Sequence, residues 1–206
     1  MKAYQFKITI KNSHPPIWRR VIIPAGITFS QLSIILNEVM GWCGYHMSSF
    51  EFRNLNIYIE DEPEDIGWGQ FETLDGTKTI IDKFFDDEKR LVYIYDFGDF
   101  WEHKIEIEKV LFDYEKEYPI VVKFKGDTPY EDCGGIYGYY ELLEILDNPK
   151  HPQYEDMSMW VEGHFHNDYD IDCANKALED LELVDEDGNP LTQREIYEIM
   201  FDKYLQ

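Results

Sequence analysis

The chain has 206 residues, 44% of them hydrophobic and 16% aromatic, which is enough apolar side chain for a core and too much for a disordered chain. Asp and Glu number 42 against 19 Lys and Arg, and the resulting net charge of -23 repels nucleic-acid phosphates and anionic membranes alike. Two surface readings remain, a solvated acidic shell or a face for a basic partner.

Ala3 to Lys11 alternates strictly, with Tyr4, Phe6, Ile8 and Ile10 on one face and Gln5, Lys7 and Thr9 on the other, as in a half-buried strand. "NSHPP" breaks it, and "IWRRVII" predicts a second strand ended by Pro24. Thr28 to Met40 predicts a helix: Thr28 and Gln31 form a capping box, Phe29, Leu32, Ile35, Leu36 and Val39 make the apolar stripe, and Gly41 stops it. Ser49 to Ile59 predicts a strand with a turn near Asn54 and Asn56, followed by an acidic loop and an ambiguous segment from Thr79 to Phe85. Leu91 to Phe97, Trp101 to Val110 and "YPIVVKF" predict further strands. Tyr139–Leu146, Pro152–Val161, Cys173–Leu183 and Thr192–Tyr204 predict helices, the last opened by a Thr192–Glu195 capping box. Strands first and helices last give an α+β fold, a mostly antiparallel sheet crossed by one N-terminal helix with a set of helices at the C-terminal end. The predicted organisation is a single α+β domain over 1–183, strand-rich to about 126, with a helical extension over 184–206 packed on it.

No run of about 18 apolar residues is present, so no membrane span is predicted. The alternating N-terminus does not fit a secretory signal. Cys43, Cys133 and Cys173 form no CxxC pair, so neither a zinc ribbon nor a redox motif is indicated, and their odd number points to a reducing, cytoplasmic compartment. Phosphate-binding loops, dinucleotide fingerprints, HExxH, GxSxG and EF-hand loops are also missing.

The densest chemistry lies in "YDFGDFWEH", Tyr95 to His103. If Gly98-Asp99 is a two-residue hairpin loop, Val92, Ile94, Asp96, Trp101, His103, Ile105 and Ile107 share the core face, and Glu102, Lys104, Glu106 and Glu108 the other. Asp96 and His103 are then diagonal neighbours. They read either as a core histidine satisfied by a carboxylate or as a general base or metal ligand with its orienting acid. His46 could join them, giving Asp96, His103 and His46 as the catalytic candidates. Asp99 reads as a turn former.

"PYEDCGG" offers Glu131 and Asp132 beside a glycine pair that permits positive φ and a sharp loop. Those acids could hold a metal or pair with an arginine of "WRR", and Arg19 and Arg20 point to opposite faces. Cys133 beside two acids is a poor thiolate nucleophile. Arg19, Trp42, Trp101, Glu131 and Asp132 are the candidate binding residues. His164 and His166, in the His-x-His of "GHFHND", are weaker metal candidates, since an acidic loop explains them equally well.

In order along the chain, "PPIWRRV", "GW" with "YH", "YDFGDFWEH", "PYEDCGGIYGY" and "NPKHPQYEDM" resemble the plasmid Ri ORF-three-like family, over roughly residues 3 to 180. Its members are often labelled passenger or "TnpR-like" proteins of insertion elements. The resemblance implies an α+β fold and no established activity. It departs at Phe100, where the family usually has a second Asp. The resolvase label is not carried over, because no serine-recombinase motif is visible and the charge opposes DNA binding.

Two functions are expected from this reading. The first is a non-catalytic binding or accessory protein, mobile-element associated by resemblance, with a protein or small-molecule partner and no cofactor. The alternative is a metal-dependent hydrolase or nuclease, in which a divalent metal is held by His46, Asp96, His103 and Glu131 or Asp132.

Overall fold

The computed structural model describes residues 1–63, 71–164, 168–192 and 195–196. The fold is α+β, as expected. Among the described residues one eight-stranded sheet runs β5-β4-β3-β6-β7-β1-β2-β8. The strands are β1 (Ala3–Ile10), β2 (Trp18–Pro24), β3 (Ser48–Phe52), β4 (Ile57–Glu60), β5 (Glu72–Asp75), β6 (Arg90–Tyr95), β7 (Trp101–Leu111) and β8 (Ile120–Lys125). Every pairing is antiparallel except β4 with β5, which is parallel.

Side-chain alternation gives the sheet one apolar and one charged face. Tyr4, Phe6, Ile8 and Ile10 of β1 are all buried, opposite Val21 and Ile23 on one side and Ile105 and Ile107 on the other. The opposite face is an ion-pair ladder: Arg20 takes Glu108 with two bonds of 2.7 and 2.8 Å, and Lys104 pairs with Glu106. Paired ladders of this kind add little stability when exposed; their effect is to leave the helices a single face to cover.

Helix α1 (Phe29–Met40) covers that face. Its start is the predicted capping box, with Gln31 N–H donating to Thr28 Oγ1 at 3.2 Å and Thr28 N–H to Gln31 Oε1 at 2.9 Å. Its end is Gly41 at φ +82°, whose N–H bonds the Asn37 carbonyl. Phe29 anchors it among the rings of Phe50, Phe52, Phe84 and Phe85, with centroids 5.1 to 6.1 Å away. The ambiguous segment is a single short turn of helix, α2 (Asp82–Phe85), that supplies the last two of those rings. Helices α3 (Gly135–Asp147), α4 (Tyr154–Glu162) and α5 (Ile171–Asp180) follow, and α5 packs on β8 and α1.

About half of the predicted 184–206 helical extension lies outside the described residues, and its described first part, 184–191, is a turn closed by a β-bridge and not helix. Within them, Val184 bridges Pro190, Gln31 Nε2 donates to the Leu183 carbonyl, and the Thr192–Glu195 capping box is formed.

Arg19 lies on the apolar face, fully buried. Among the described residues no carboxylate forms an ion pair with it. Its Nη1 donates to the carbonyls of Trp18, Lys125 and Gly126 at 3.1, 3.1 and 2.8 Å, and its guanidinium lies 3.5 Å from the ring centre of Tyr169. The expected pair of a "WRR" arginine with Glu131 or Asp132 is not among the ion pairs of the described residues; Arg20 takes Glu108 instead, on the other face. Desolvation lowers the Arg19 pKa to about 10, and Nη1 ties the start of the β8–α3 connection to β2. Arg19→Lys keeps the charge but loses the stacking on Tyr169 and the placement of Nη1 among three carbonyls. It should cost about 2 kcal/mol, the scale of a buried group left partly unpaired, read as a lower urea midpoint at pH 7.

Candidate functional site

Three connections meet at one end of the sheet. The first, residues 41–47, leaves α1 at Gly41. Trp42 folds under it, stacked on Tyr95 at 5.5 Å and 5.1 Å from Trp101. Gly44 N–H donates to the Tyr95 hydroxyl at 3.0 Å, and His46 meets the Tyr95 ring edge-on at 5.6 Å. A buried aromatic stack thus sets the height at which His46 is carried.

The second connection is the β6–β7 turn, and here the structure corrects the expected register. The last pair is Tyr95 with Trp101, leaving residues 96–100 as a five-residue loop closed by Phe100 N–H on the Asp96 carbonyl at 2.7 Å. This moves the β6 partners by one residue, and a one-residue slip reverses a strand's faces. Leu91, Tyr93 and Tyr95, not Val92, Ile94 and Asp96, face the core with Trp101, His103 and Ile105. His103 is opposite Tyr93, and Asp96 is in the turn, so the predicted Asp96–His103 pair does not form. The outward row of Glu102, Lys104, Glu106 and Glu108 is as predicted.

The third connection joins β8 to α3 and carries "PYEDCGG". Gly134 and Gly135 have φ of +91° and +68°, the sharp loop the glycine pair predicts. Gly134 N–H donates to Asp99 Oδ2 at 3.0 Å, and the missing Gly135 side chain lets the loop press against the Asp99 carbonyl. Asp99 is thus a turn residue that also ties two loops together.

Where the loops touch, His46 Nε2 lies 3.3 Å from Asp132 Oδ1 and 3.6 Å from Asp96 Oδ2. Asp96 is only 7% exposed, and its Oδ1 accepts the Gly98 N–H at 2.8 Å. Asp132 Oδ2 accepts the Tyr45 hydroxyl at 2.8 Å. Glu131 turns behind them, its Oε1 accepting Cys43 N–H at 2.6 Å and the Tyr95 hydroxyl at 3.3 Å, and burial raises its pKa. An imidazole and two carboxylates at this spacing are groups that could hold a divalent cation.

The other candidates fall elsewhere. His103 is fully buried against Trp42 and Tyr93 and is not part of the cluster. Arg19, Trp42 and Trp101 are buried in the core, so they support the loops and do not face a ligand. His164 sits against Trp160, ring centres 3.7 Å apart, with Nδ1 2.6 Å from the Trp160 carbonyl; His166 lies outside the described residues. Burial, then Asp99 and Asp132, push the Cys133 thiol up to about 12, which fits the rejection of a cysteine nucleophile.

A cavity of about 290 Å³ opens beside Asp132, between α3 and α4. Leu142, Ile145, Met157 and Trp160 give it apolar walls, and Asp132 and Glu141 give it an acidic edge.

The sequence model of a family described as plasmid pRiA4b ORF-3-like protein matches residues 2–176. The chain belongs to this family. It is 33% identical over 184 residues to the uncharacterized protein y4hQ of Sinorhizobium fredii, covering 86% of this chain and 91% of that one. Its fold is similar to the crystal structure of a protein of unknown function, MM3350 from Methanosarcina mazei Go1, with a TM-score of 0.72 and 34% identity over 84% of this chain and 96% of the other. Relatives described in these terms bring a fold and no activity, so the site must be argued from its own chemistry. Among the described residues no helix is long and apolar enough to cross a membrane.

The departure at Phe100 has a local cost. Its φ is +57°, a left-handed conformation that suits Asp, Asn or Gly, and its ring is 53% exposed. Phe100→Asn should therefore raise stability by about 1 kcal/mol, the lower end of the left-handed penalty, seen as a higher denaturant midpoint with an unchanged slope.

Proposed function

We propose that the protein is a non-catalytic binding protein that takes a basic segment of a partner protein into the α3–α4 cavity. The cavity itself carries this reading. Its volume of about 290 Å³ suits an inserted apolar side chain, and Asp132 and Glu141 at its edge suit a neighbouring Lys or Arg. The net charge of -23 would speed the encounter with such a segment and repel nucleic acid. The free thiols of Cys43, Cys133 and Cys173 support a cytoplasmic setting. The metal-dependent hydrolase reading loses its intended base, since His103 is packed in the core.

The test is fluorescence anisotropy with a labelled peptide alternating Arg and Leu, beside the same peptide with Glu for Arg. The basic peptide should bind, the acidic one should not, and Trp160→Ala should weaken binding about tenfold or more, as loss of an aromatic pocket wall does. Equal binding of both peptides, or indifference to Trp160→Ala, would refute the reading.

A further inference from the structure

We propose that His46, Asp96 and Asp132 form a zinc site. The geometry is the first argument. Two ligand atoms on a tetrahedral zinc, each about 2.0–2.1 Å from the metal, lie roughly 3.4 Å apart. His46 Nε2 is 3.3 and 3.6 Å from the two carboxylate oxygens, and the three atoms lie within 4.8 Å of one another. Two of the three spacings therefore match what the ion requires, and the third pair, the two carboxylate oxygens, lies within 4.8 Å.

The second argument is how the carboxylates are held. Each has one oxygen fixed by a donor from outside the triad, Gly98 N–H on Asp96 Oδ1 and the Tyr45 hydroxyl on Asp132 Oδ2. Each presents its other oxygen to His46. This is the outer-shell arrangement that orients metal-ligating carboxylates.

The third argument is charge. Asp96 is a buried carboxylate, 7% exposed, and among the described residues its Oδ2 faces His46 at 3.6 Å, a distance too long for a hydrogen bond. Asp99, Glu131 and Asp132 lie at the same junction. Among the described residues no Lys or Arg pairs with any of these four acids. A buried carboxylate away from cations is costly unless a positive charge joins it. A divalent ion would supply that charge.

The donor set selects the ion. An imidazole disfavours calcium and magnesium, which take oxygen ligands, while one nitrogen and two carboxylate oxygens suit zinc. Three protein ligands leave a fourth position open for water or a ligand group. The site shares Asp132 with the cavity edge, so the inference rests on the binding reading with one change: the ion would take Asp132 and leave Glu141 to meet the partner's Lys or Arg. Zinc binding is measured without peptide, so the two readings can fail separately.

The experiment is isothermal titration with zinc chloride on protein purified without chelator, with elemental analysis of the same sample. Wild type should take up a single zinc per chain. His46→Ala and Asp132→Asn should each weaken binding about 100-fold or more, beyond what loss of a single outer-shell partner costs. Asp132→Asn keeps an amide oxygen for Tyr45 and tolerates the local φ of +57°, so it separates ligand loss from misfolding. Tyr45→Phe should weaken zinc about tenfold, and His164→Ala should leave it unchanged. Magnesium at the same concentration should not compete. No saturable zinc uptake by wild type, or a loss on His164→Ala in place of His46→Ala, overturns the proposal.

Discussion

Replacing His103 with phenylalanine should remove about 3 kcal/mol of acid sensitivity between pH 6.5 and 4. The ring is fully buried, 5.9 Å from the Trp42 ring and 5.4 Å from the Tyr93 ring. Burial is the main cause that lowers its pKa to about 4, against the weaker opposing pull of the Tyr93 and Trp101 carbonyls and of Glu102. In the unfolded chain the histidine titrates near 6.5. Between these values the unfolded state binds the proton that the folded state refuses. Stability is therefore whole above pH 6.5, falls as the pH drops, and has lost this contribution once the pH passes below about 4. Urea unfolding at pH 7, 5.5 and 4 measures it as the difference between wild type and His103→Phe. The acid titrations shared by both proteins cancel in that difference. At pH 7 the variant should be as stable as wild type or more so, because neither ring nitrogen makes a hydrogen bond among the described residues. A parallel decline of both proteins would show that His103 is protonated in the fold.

The strand-by-strand legibility of the fold has a physical reason. Tyr4, Phe6, Ile8 and Ile10, and the row from Trp101 to Ile107, announce their faces by alternation, since each strand has one wet side. The capping box and Gly41 mark the ends of α1 by local hydrogen bonding alone. The β6–β7 turn is the exception. The run from Leu91 to Tyr95 is apolar on both faces, so it carries no parity of its own, and local sequence favours the shortest Gly-led turn. The wider loop is fixed by contacts from a distant segment, Gly134 on Asp99 and Asp132 near Asp96. β5 is silent in the sequence for a similar reason: "ETLD" has little strand character and is held by parallel pairing to β4.

The candidate site divides in the same way. Its residue types were visible, because His46, Asp96, Glu131 and Asp132 each sit beside a glycine or turn signal. Which of them meet was not, because His46 and Asp132 are joined only through the sheet and two loops. Tyr45 and Tyr95, which hold the acids, carried no signal beyond their proximity to those turns.

Gly135→Ala should separate the β6–β7 turn from the β8–α3 loop, costing about 3–4 kcal/mol. An alanine Cβ there would sit 2.2 Å from the Asp99 carbonyl oxygen, and the backbone φ is +68°. The left-handed conformation accounts for about 1–2 kcal/mol, and forcing the turn from the loop adds a strain of roughly 1–3 kcal/mol. Gly134→Ala is the control. It shares the positive φ, at +91°, but its Cβ would meet nothing nearer than 3.7 Å, so it should cost only the conformational part, about 1 kcal/mol. Denaturant unfolding of the pair separates the two contributions. The same displacement should carry Asp132 away from Asp96 and His46, so Gly135→Ala should weaken zinc about tenfold or more, on the scale of a lost outer-shell contact, while Gly134→Ala leaves it near wild type. Two variants of equal stability and equal zinc affinity would mean that the turn and the loop accommodate the added methyl. The Gly134 N–H on Asp99 and the Tyr45 hydroxyl on Asp132 would then be what holds the loops together, and the close approach of Gly135 to Asp99 would not set the spacing of the three donors.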